Sequence, residues 1–246
     1  MTVSPADGTR VGEVTRAGNP KCLTRWAALP AIAVLLVLSA CGDRNDEGAK
    51  SALNTADQAL AEKVSLSLSD LPTGWVVQST GVNRSGWRCN LSFADLTETG
   101  KAASPVYLSP RNPNLGRVEA RSNVSVYRTS AEARTAFERF MSKRFVSCTV
   151  DSALRRFRIL GIDATNRGHE RLTVPRIGDR SGSYIMFFAF ADPRRAGESV
   201  EPVFVLQGRA VIDVSFVSVY LGGPAPRWSM LIRLARALAM RAAPAG

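Results

Sequence analysis

The sequence predicts an α+β domain built on an antiparallel sheet of about five to seven strands, with helices packed mainly on one face. Three observations lead to this fold class. Helical patterns occur early, in the middle and at the end of the chain, strand patterns fill the C-terminal half, and short turns join those strands. Helices grouped around an antiparallel sheet are the arrangement of the α+β class.

The first helix is predicted between Asp57 and Leu68, where apolar residues recur at helical spacing. The stretch Leu71–Trp75 contains a proline and a glycine and ends this helix. Trp75 then leads into a short strand through Val76 and Val77. After a polar loop, the sequence predicts a short helix over residues 92–97 and a short extended segment over residues 105–108.

The clearest strand runs from Arg117 to Tyr127, because apolar and polar residues alternate along it. This period of two predicts one buried and one solvent-facing side. Thr129 and Glu132 have the spacing of a capping box, which starts a helix that runs almost to Cys148. A second helical segment is predicted over Val150–Phe157.

The C-terminal half is rich in β-branched and aromatic residues and predicts a β-meander. Its strands are expected at Glu170–Val174, Tyr184–Ala191, Val200–Leu206 and Ala210–Tyr220. Gln207, Gly208 and Arg209 form the turn between the last two strands. An apolar stripe that begins at Trp228 predicts a final helix, which ends before Pro244.

The N-terminal region has the features of an export signal. Residues 26–40 carry no charge and follow a segment with four basic residues. This apolar stretch is short for a membrane span, and Pro30 interrupts it. We expect a signal peptide over residues 1–40, a flexible tether over residues 41–52 and one ligand-binding domain over residues 53–246.

The signal ends in Leu38-Ser39-Ala40-Cys41, which resembles the lipobox of bacterial lipoproteins. This resemblance implies a diacylglyceryl group on the sulfur of Cys41, cleavage after Ala40 and attachment to the outer face of the cell membrane. Two or more acyl chains give stable attachment. No pair of arginines precedes the apolar stretch, so the Sec route is favoured. The alternative is an ordinary signal peptide or membrane anchor that contains a cysteine by chance.

Cys89 and Cys148 remain as a pair, because Cys22 lies in the leader and Cys41 would carry the lipid. Outside the cytoplasm such a pair predicts a disulfide, which would close a loop of roughly 60 residues and contribute about 4 kcal/mol. Two buried thiols are the alternative. No metal site or cofactor is expected, because the chain has one histidine and no closely spaced set of ligands.

The exported part is strongly basic. Residues 41–246 retain 28 of the 32 basic and 19 of the 21 acidic residues, a net charge of about +9. This charge favours contact with anionic lipids or acidic wall polymers. Export excludes nucleic acid as the expected partner. The arginine-rich run Arg155–Arg158 is more typical of a solvated helix end than of a binding patch.

Catalysis has little support in the sequence. His169 is the only histidine, and no G-x-S-x-G elbow or phosphate-binding loop is present. The stretch Gly178–Gly182 predicts a turn before a strand. Aromatic residues of the C-terminal strands could line an apolar pocket or fill the core: Phe187, Phe188, Phe190, Phe204, Phe216 and Tyr220. Phe187 and Phe188 must point to opposite faces.

Three segments together resemble exported actinobacterial lipoproteins: Leu71–Trp75, the strand-helix unit from Ser125 to Cys148, and the Ile177-Gly178-Asp179 turn. Some of these proteins are similar to the extracellular sensor domain of mycobacterial receptor Ser/Thr kinases, and PsbP-like lipoproteins are a comparable match. The resemblance implies an exported α+β domain that binds something. It carries over no catalytic residue and no ligand.

These observations favour a non-enzymatic, lipid-anchored envelope protein that binds a small apolar ligand or an envelope protein. A scaffold without a ligand is the alternative. A hydrolase that uses His169 with a serine or an acid is the third hypothesis.

Overall fold

The computed structural model describes residues 53–78, 93–111, 116–191, 197–220 and 228–243, without the side chains of residues 219 and 220. The leader, the lipobox, Cys41, residues 42–52 and Cys89 therefore lie outside the described residues. The described elements, in chain order, are α1 (Thr55–Val64), β1 (Val76–Val77), β2 (Glu98–Ala103), β3 (Tyr107–Leu108), β4 (Val118–Tyr127), α2 (Ser130–Phe140), α3 (Lys143–Ile159), β5 (Ala164–Leu172), β6 (Arg180–Phe190), β7 (Gly197–Gln207), β8 (Ala210–Tyr220) and α4 (Trp228–Ala242).

The described strands form one antiparallel sheet, and the predicted α+β class is confirmed. The strand order is β1-β3-β4-β8-β7-β6-β5, and β2 also pairs with β4. Both β2 and β3 lie along the edge of β4 that faces away from β8. The described part of the sheet has eight strands rather than five to seven, and the additional strand is β2, which pairs with β4.

Helices cover both faces of the sheet, whereas the sequence predicts that most of them pack on one face. One core joins α1 and α4 to the sheet, and a second core joins α2 and α3 to the opposite side. Ten consecutive residues of β7, from Gly197 to Leu206, are buried. A strand that is buried on both sides needs cover on both sides, and helical spacing does not tell which side each helix takes.

The core under α1 and α4 is built from aliphatic side chains. Leu231, Leu234 and Leu238 of α4 are almost fully buried. Two ion pairs fasten this layer: Arg209 binds the Asp57 carboxylate with atoms 2.5 and 3.0 Å apart, and Arg241 binds Asp70. Helix α1 lies so close to β2 that a Cβ atom on Gly100 would be 2.3 Å from the Asp57 carbonyl oxygen.

The core under α2 and α3 is rich in aromatic rings. Phe140 stacks on Phe204 with ring centroids 5.3 Å apart, and Phe157 meets Phe188 edge-on at 5.4 Å. Both cores lie within one compact unit, Asp46–Gly246. A protein that consists of residues 46–246 therefore contains every residue of the two cores.

The predicted capping box of α2 is confirmed. Glu132 N–H donates to Thr129 Oγ1 at 3.1 Å, and Thr129 N–H donates to a Glu132 carboxylate oxygen at 3.3 Å. The helix does not continue to Cys148, however. It ends at Phe140, and α3 begins at Lys143 with the Ser142 side chain as its N-cap.

Two other predicted elements differ from the structure. A turn over residues 94–96 replaces the expected short helix, and the chain then enters β2, which the sequence did not predict. Strand β5 begins at Ala164 rather than at Glu170. It is an exposed edge strand with mostly polar residues, so its start shows no apolar alternation. Among the described residues, no helix is both long and apolar enough to cross a membrane.

Candidate ligand-binding cleft

A cleft of about 160 Å³ opens on the side of the sheet that carries α2 and α3. Strands β4, β8, β7 and β6 form its floor, and α3 and the segment between β2 and β3 form its walls. The lining residues are Ala103, Ser104, Val106, Arg121, Ser122, Asn123, Phe145, Thr149, Tyr184, Met186, Val200, Pro202, Phe204, Asp213 and Ser215.

An interruption in the sheet edge forms one rim of the cleft. Between β2 and β3, the pairing with β4 passes through Ser104: its N–H donates to the Ser122 carbonyl at 3.0 Å, and its hydroxyl accepts from the Ser122 N–H at 2.8 Å. The next residue, Pro105, has no N–H to donate to the ladder. The chain therefore leaves regular pairing here and places Ala103, Ser104 and Val106 along the opening.

Asp213 lies on the polar floor of the cleft. It pairs directly with Asn123 across β4 and β8, so both side chains project from the same face. Asn123 Nδ2 donates to Asp213 Oδ2 at 3.1 Å, and Ser215 Oγ donates to Asp213 Oδ1 at 2.5 Å. Burial raises the pKa of the Asp213 carboxyl, and this effect outweighs the opposing effects of Ser215, Arg121 and Asn123.

Tyr184 places a buried hydroxyl beside the cleft. The residue is 2% exposed, and its hydroxyl has no hydrogen-bond partner among the described residues. Its pKa is raised first by burial and then by the charge of Asp213. A buried hydroxyl without a partner costs about 1–3 kcal/mol, so a ligand that bonds to it recovers this energy.

Apolar side chains form the wall opposite these polar groups. The Phe145 ring lies 6.1 Å from Phe204 and 6.4 Å from Tyr184, measured between centroids. Met186 and Val200 are buried on the same floor. Thr149, on the next turn of α3, already donates its hydroxyl hydrogen to the Phe145 carbonyl at 2.8 Å and retains only acceptor capacity. The cleft is therefore amphipathic.

The cleft carries no strong net charge. Arg121 and Asp213 are the only charged residues among those that line it. They have opposite signs, and each lowers the cost of charging the other. Among the described residues, no group of three or more His, Cys, Asp or Glu side chains is placed to hold a metal ion.

The structure does not bring His169 to this cleft. His169 is exposed on the edge strand β5, and β6 and β7 separate that strand from β8. The predicted Gly178–Gly182 turn is shorter in the structure: the chain bends at Gly178, which has φ +61°, and at Asp179, and β6 already begins at Arg180. Asp179 accepts a hydrogen bond from the Gly208 N–H at 2.7 Å and so ties this turn to the β7–β8 hairpin.

Cys148 lies on α3 and is disulfide-bonded. Its predicted partner, Cys89, lies outside the described residues, so the identity of the pair stays a prediction. The same holds for the lipobox residues Leu38, Ser39 and Ala40 and for the lipid on Cys41. The arginine-rich run forms the last turns of α3, where Arg155 and Arg158 are exposed and Phe157 is buried.

Most of the aromatic residues considered for a pocket belong to the cores. Phe188 and Phe216 are almost fully buried on opposite faces of the sheet. Phe187 is partly buried, and its neighbour Phe188 points into the α2/α3 core. Phe190 contacts Phe157, and the Tyr220 side chain is outside the described part. Phe204 alone among the six lines the cleft, so of the two alternatives core packing describes most of these side chains.

Sequence reasoning missed Asp213, Asn123 and Tyr184. A usable signal was present in β8, where Asp213 interrupts a run of β-branched residues. A charged residue between strand-forming apolar residues indicates a solvated or functional position. The alternation along β4 predicts that Asn123 lies on the solvent-facing side of the strand, and in the structure this side forms part of the cleft floor.

No protein-family model matches the sequence, and no curated protein matches it. Three solved structures are similar in part. The extracellular domain of PknH from Mycobacterium tuberculosis is 10% identical, with 55% of this chain and 62% of that chain covered and a TM-score of 0.31. The match therefore spans less than two thirds of the PknH domain.

The second structure is LpqN, involved in cell envelope biogenesis of M. tuberculosis. It is 10% identical, with 69% of this chain and 78% of that chain covered and a TM-score of 0.29. The third is the cyanobacterial PsbP protein CyanoP from Synechocystis sp. PCC 6803. It is 12% identical, with 83% and 96% covered and a TM-score of 0.29. These scores assign the chain to no family.

Proposed function

We propose that this protein is a non-enzymatic, lipid-anchored protein of the cell envelope, whose domain binds a small ligand in the cleft. The observation that carries the proposal is the Tyr184 hydroxyl, which is buried, faces the cleft and has no partner among the described residues. Asp213 beside it accepts hydrogen bonds from Asn123 and Ser215, whereas a carboxylate has room for about four. Both residues line the cleft, and a ligand reaches the Tyr184 hydroxyl when the side chains that bury it move aside.

The shape and charge of the cleft limit what the ligand is. A cavity of about 150 Å³ holds a benzene ring, so this cleft suits a group the size of one six-membered ring. It is smaller than the usual site for a larger molecule. A purely apolar group would leave Tyr184 and Asp213 without partners, which costs free energy.

Charged ligands fit the cleft less well than neutral ones. An anion would be repelled by Asp213 in its ionised form, and a cation would be repelled by Arg121. A neutral hydroxyl both donates to Asp213 and accepts from Tyr184. The proposed ligand is therefore neutral, carries hydroxyl groups on one side and has an apolar side that packs against Phe145 and Phe204.

Three probes of one size and different charge test this ligand class: cis-1,2-cyclohexanediol, cyclohexylamine and cyclohexanecarboxylate. The test uses a protein that consists of residues 46–246. Binding is followed by NMR chemical-shift changes of residues around the cleft. We expect the diol to bind more tightly than either charged probe. Equal or tighter binding of a charged probe would contradict the neutral class, and absence of binding by all three would contradict the ligand-binding function.

Tyr184→Phe and Tyr107→Phe form a matched pair of variants for the same test. Both tyrosines are buried, but the Tyr107 hydroxyl donates to the Leu66 carbonyl at 3.1 Å on the other side of the sheet. We expect Tyr184→Phe to weaken diol binding about tenfold without lowering stability, because only the ligand bonds to this hydroxyl. Tyr107→Phe should lower stability by about 1 kcal/mol and leave binding unchanged.

Export and anchoring rest on the sequence, and the basic segment, the apolar stretch and the lipobox pattern of residues 1–41 support them. In the native host, Cys41→Ala should leave the leader uncleaved and the protein without lipid. Mass spectrometry of the purified protein measures both properties. A normally cleaved, membrane-held product from the Cys41→Ala strain would overturn the anchor.

A further inference from the structure

The C-terminal end of α3 is closed by a hydrogen-bonded turn that fixes its shape. Gly161 N–H donates to the Arg158 carbonyl at 3.0 Å, and Ile162 N–H donates to the Phe157 carbonyl at 2.8 Å. Gly161 has φ +68°. These are the two bonds and the left-handed residue of a Schellman motif. The end of the helix therefore presents its side chains in a defined arrangement.

This motif buries two apolar residues and exposes two others. Phe157 belongs to the α2/α3 core, and Ile162 packs against that core. Between them, Ile159 is 79% exposed and Leu160 is 55% exposed. A single exposed apolar residue needs no explanation. Two adjacent branched side chains in this hydrogen-bonded turn, however, form a small exposed apolar patch.

Two arginines lie close to these side chains on the helix. Arg155 and Arg158 on α3 are exposed, and neither has an ion pair among the described residues. Asp163 is an exposed acid just after the turn, and the balance of these three side chains is positive. We use the name α3 tip for Arg155, Arg158, Ile159 and Leu160.

We propose that the α3 tip docks on an anionic lipid surface, with Ile159 and Leu160 inserted at the level of the headgroups. Apolar side chains that enter the interface, flanked by arginines that contact lipid phosphates, are the usual composition of such contacts. Two apolar side chains are too small an area for a stable protein interface, which buries about 1,200–2,000 Å². A lipid surface sets no such minimum area.

Docking at this tip is independent of the cleft and of the lipid on Cys41. It would give the domain a preferred orientation at the membrane. The test uses residues 46–246, which contain both cores and lack the predicted leader and anchor. The probes are vesicles of phosphatidylglycerol and vesicles of phosphatidylcholine, and the measurement is cosedimentation.

The charge variants are Arg155→Gln with Arg158→Gln, and the matched control is Arg233→Gln with Arg236→Gln. Arg233 and Arg236 are exposed on α4, on the other side of the sheet. Both double variants lose the same net charge. We expect binding to phosphatidylglycerol to fall about 10- to 30-fold for the α3 pair, because each arginine near the surface contributes about 1 kcal/mol. The α4 pair should change binding much less.

The apolar variants are Ile159→Ser with Leu160→Ser, and the control is Leu53→Ser with Met240→Ser. Leu53 and Met240 are 62% and 72% exposed. We expect about tenfold weaker binding for the first pair only, since lost apolar insertion weakens interfacial binding. Because all four residues are exposed, unfolding midpoints should stay near that of the wild type.

Three results would overturn the proposal: no binding of the wild type to phosphatidylglycerol, unchanged binding of the Ile159/Leu160 variant, or an equal loss for either control. Equal binding to phosphatidylcholine would also overturn it, because the arginines would then have no role. Failure of this test would not contradict the proposal that the cleft binds a ligand.

Discussion

The two faces of the sheet differ in how completely their polar groups are matched. Under α1 and α4, the Asp57 and Asp70 carboxylates each bind an arginine, and Arg209 and Thr99 together satisfy Asp57. Under α2 and α3, the Tyr184 hydroxyl has no partner among the described residues, and the packing leaves a cleft. The first face therefore pairs its buried carboxylates with arginines, whereas the second face leaves both an unpartnered hydroxyl and a gap in its packing.

Asp57 on the α1/α4 face and Asp213 on the α2/α3 face have pKa values shifted in opposite directions. The raised direction is not confined to the second face, because burial also raises the pKa of Glu201, which pairs with Phe216 on the α1/α4 face. The pKa of Asp57 is lowered, chiefly by its hydrogen bond from Arg209. The pKa of Asp213 is raised, chiefly by burial. A paired carboxylate is typical of a structural contact, whereas a desolvated carboxyl in a cleft is typical of a binding site.

The largest expected effect comes from truncating the aliphatic core. Leu231 is 0% exposed on the buried side of α4, and Leu231→Ala should lower the free energy of unfolding by about 2–5 kcal/mol. Phe145 is only partly buried on the cleft wall, so Phe145→Ala should cost less, about 1–2 kcal/mol. Urea unfolding measures both. A larger loss for Phe145→Ala would contradict the contrast between the faces.

The next effect tests the ion pair of the α1/α4 face. Arg209→Met leaves the Asp57 carboxylate, which is 5% exposed, with Thr99 as its remaining side-chain donor. We expect a loss of about 1–3 kcal/mol. Arg180→Met is the matched control, because the Arg180–Glu138 pair is about half exposed and should contribute less than about 1 kcal/mol. Equal losses in thermal or urea unfolding would show that burial of Asp57 has no energetic role.

The smallest effect is a pH dependence with opposite signs on the two faces. Because the folded-state pKa of Asp213 lies above 3.8, stability falls as pH rises through the window between 3.8 and the folded value. Asp213→Asn cannot ionise, so its stability relative to the wild type should rise between about pH 3.5 and pH 7.

Asp57→Asn should behave in the opposite way. The folded-state pKa of Asp57 lies below 3.8, so its contribution is present above that value and is lost on acidification. The stability of Asp57→Asn relative to the wild type should therefore fall as pH rises through the window that ends at 3.8, a range covered by measurements from about pH 2 to pH 5. Glu201 also has a raised pKa from burial, but it is present in every variant and cancels in these differences. If the relative stabilities of both variants changed with pH in the same direction, the opposite pKa shifts of Asp57 and Asp213 would be contradicted.

Much of the fold could be predicted from local patterns. The alternation along β4, the Thr129–Glu132 capping box, the Gly208 hairpin and the apolar stripe of α4 each specify a local structure that the chain adopts. Strands β2 and β5 were missed or shortened, because they carry few apolar residues and are held by pairing with β4 and β6. Their stability comes from pairing with a neighbouring strand, and the local pattern of apolar residues gives no information about that pairing.

The sequence by itself determined the α+β class, most element positions and the basic, export-like character of the chain, because these depend on residue order and composition alone. Only the tertiary structure decided that helices cover both faces and that Asp213, Asn123 and Tyr184 meet in one cleft. The three residues are far apart in the chain, and strand pairing brings them together. Register between distant strands is a property of the whole packed sheet, so no local pattern could reveal the site.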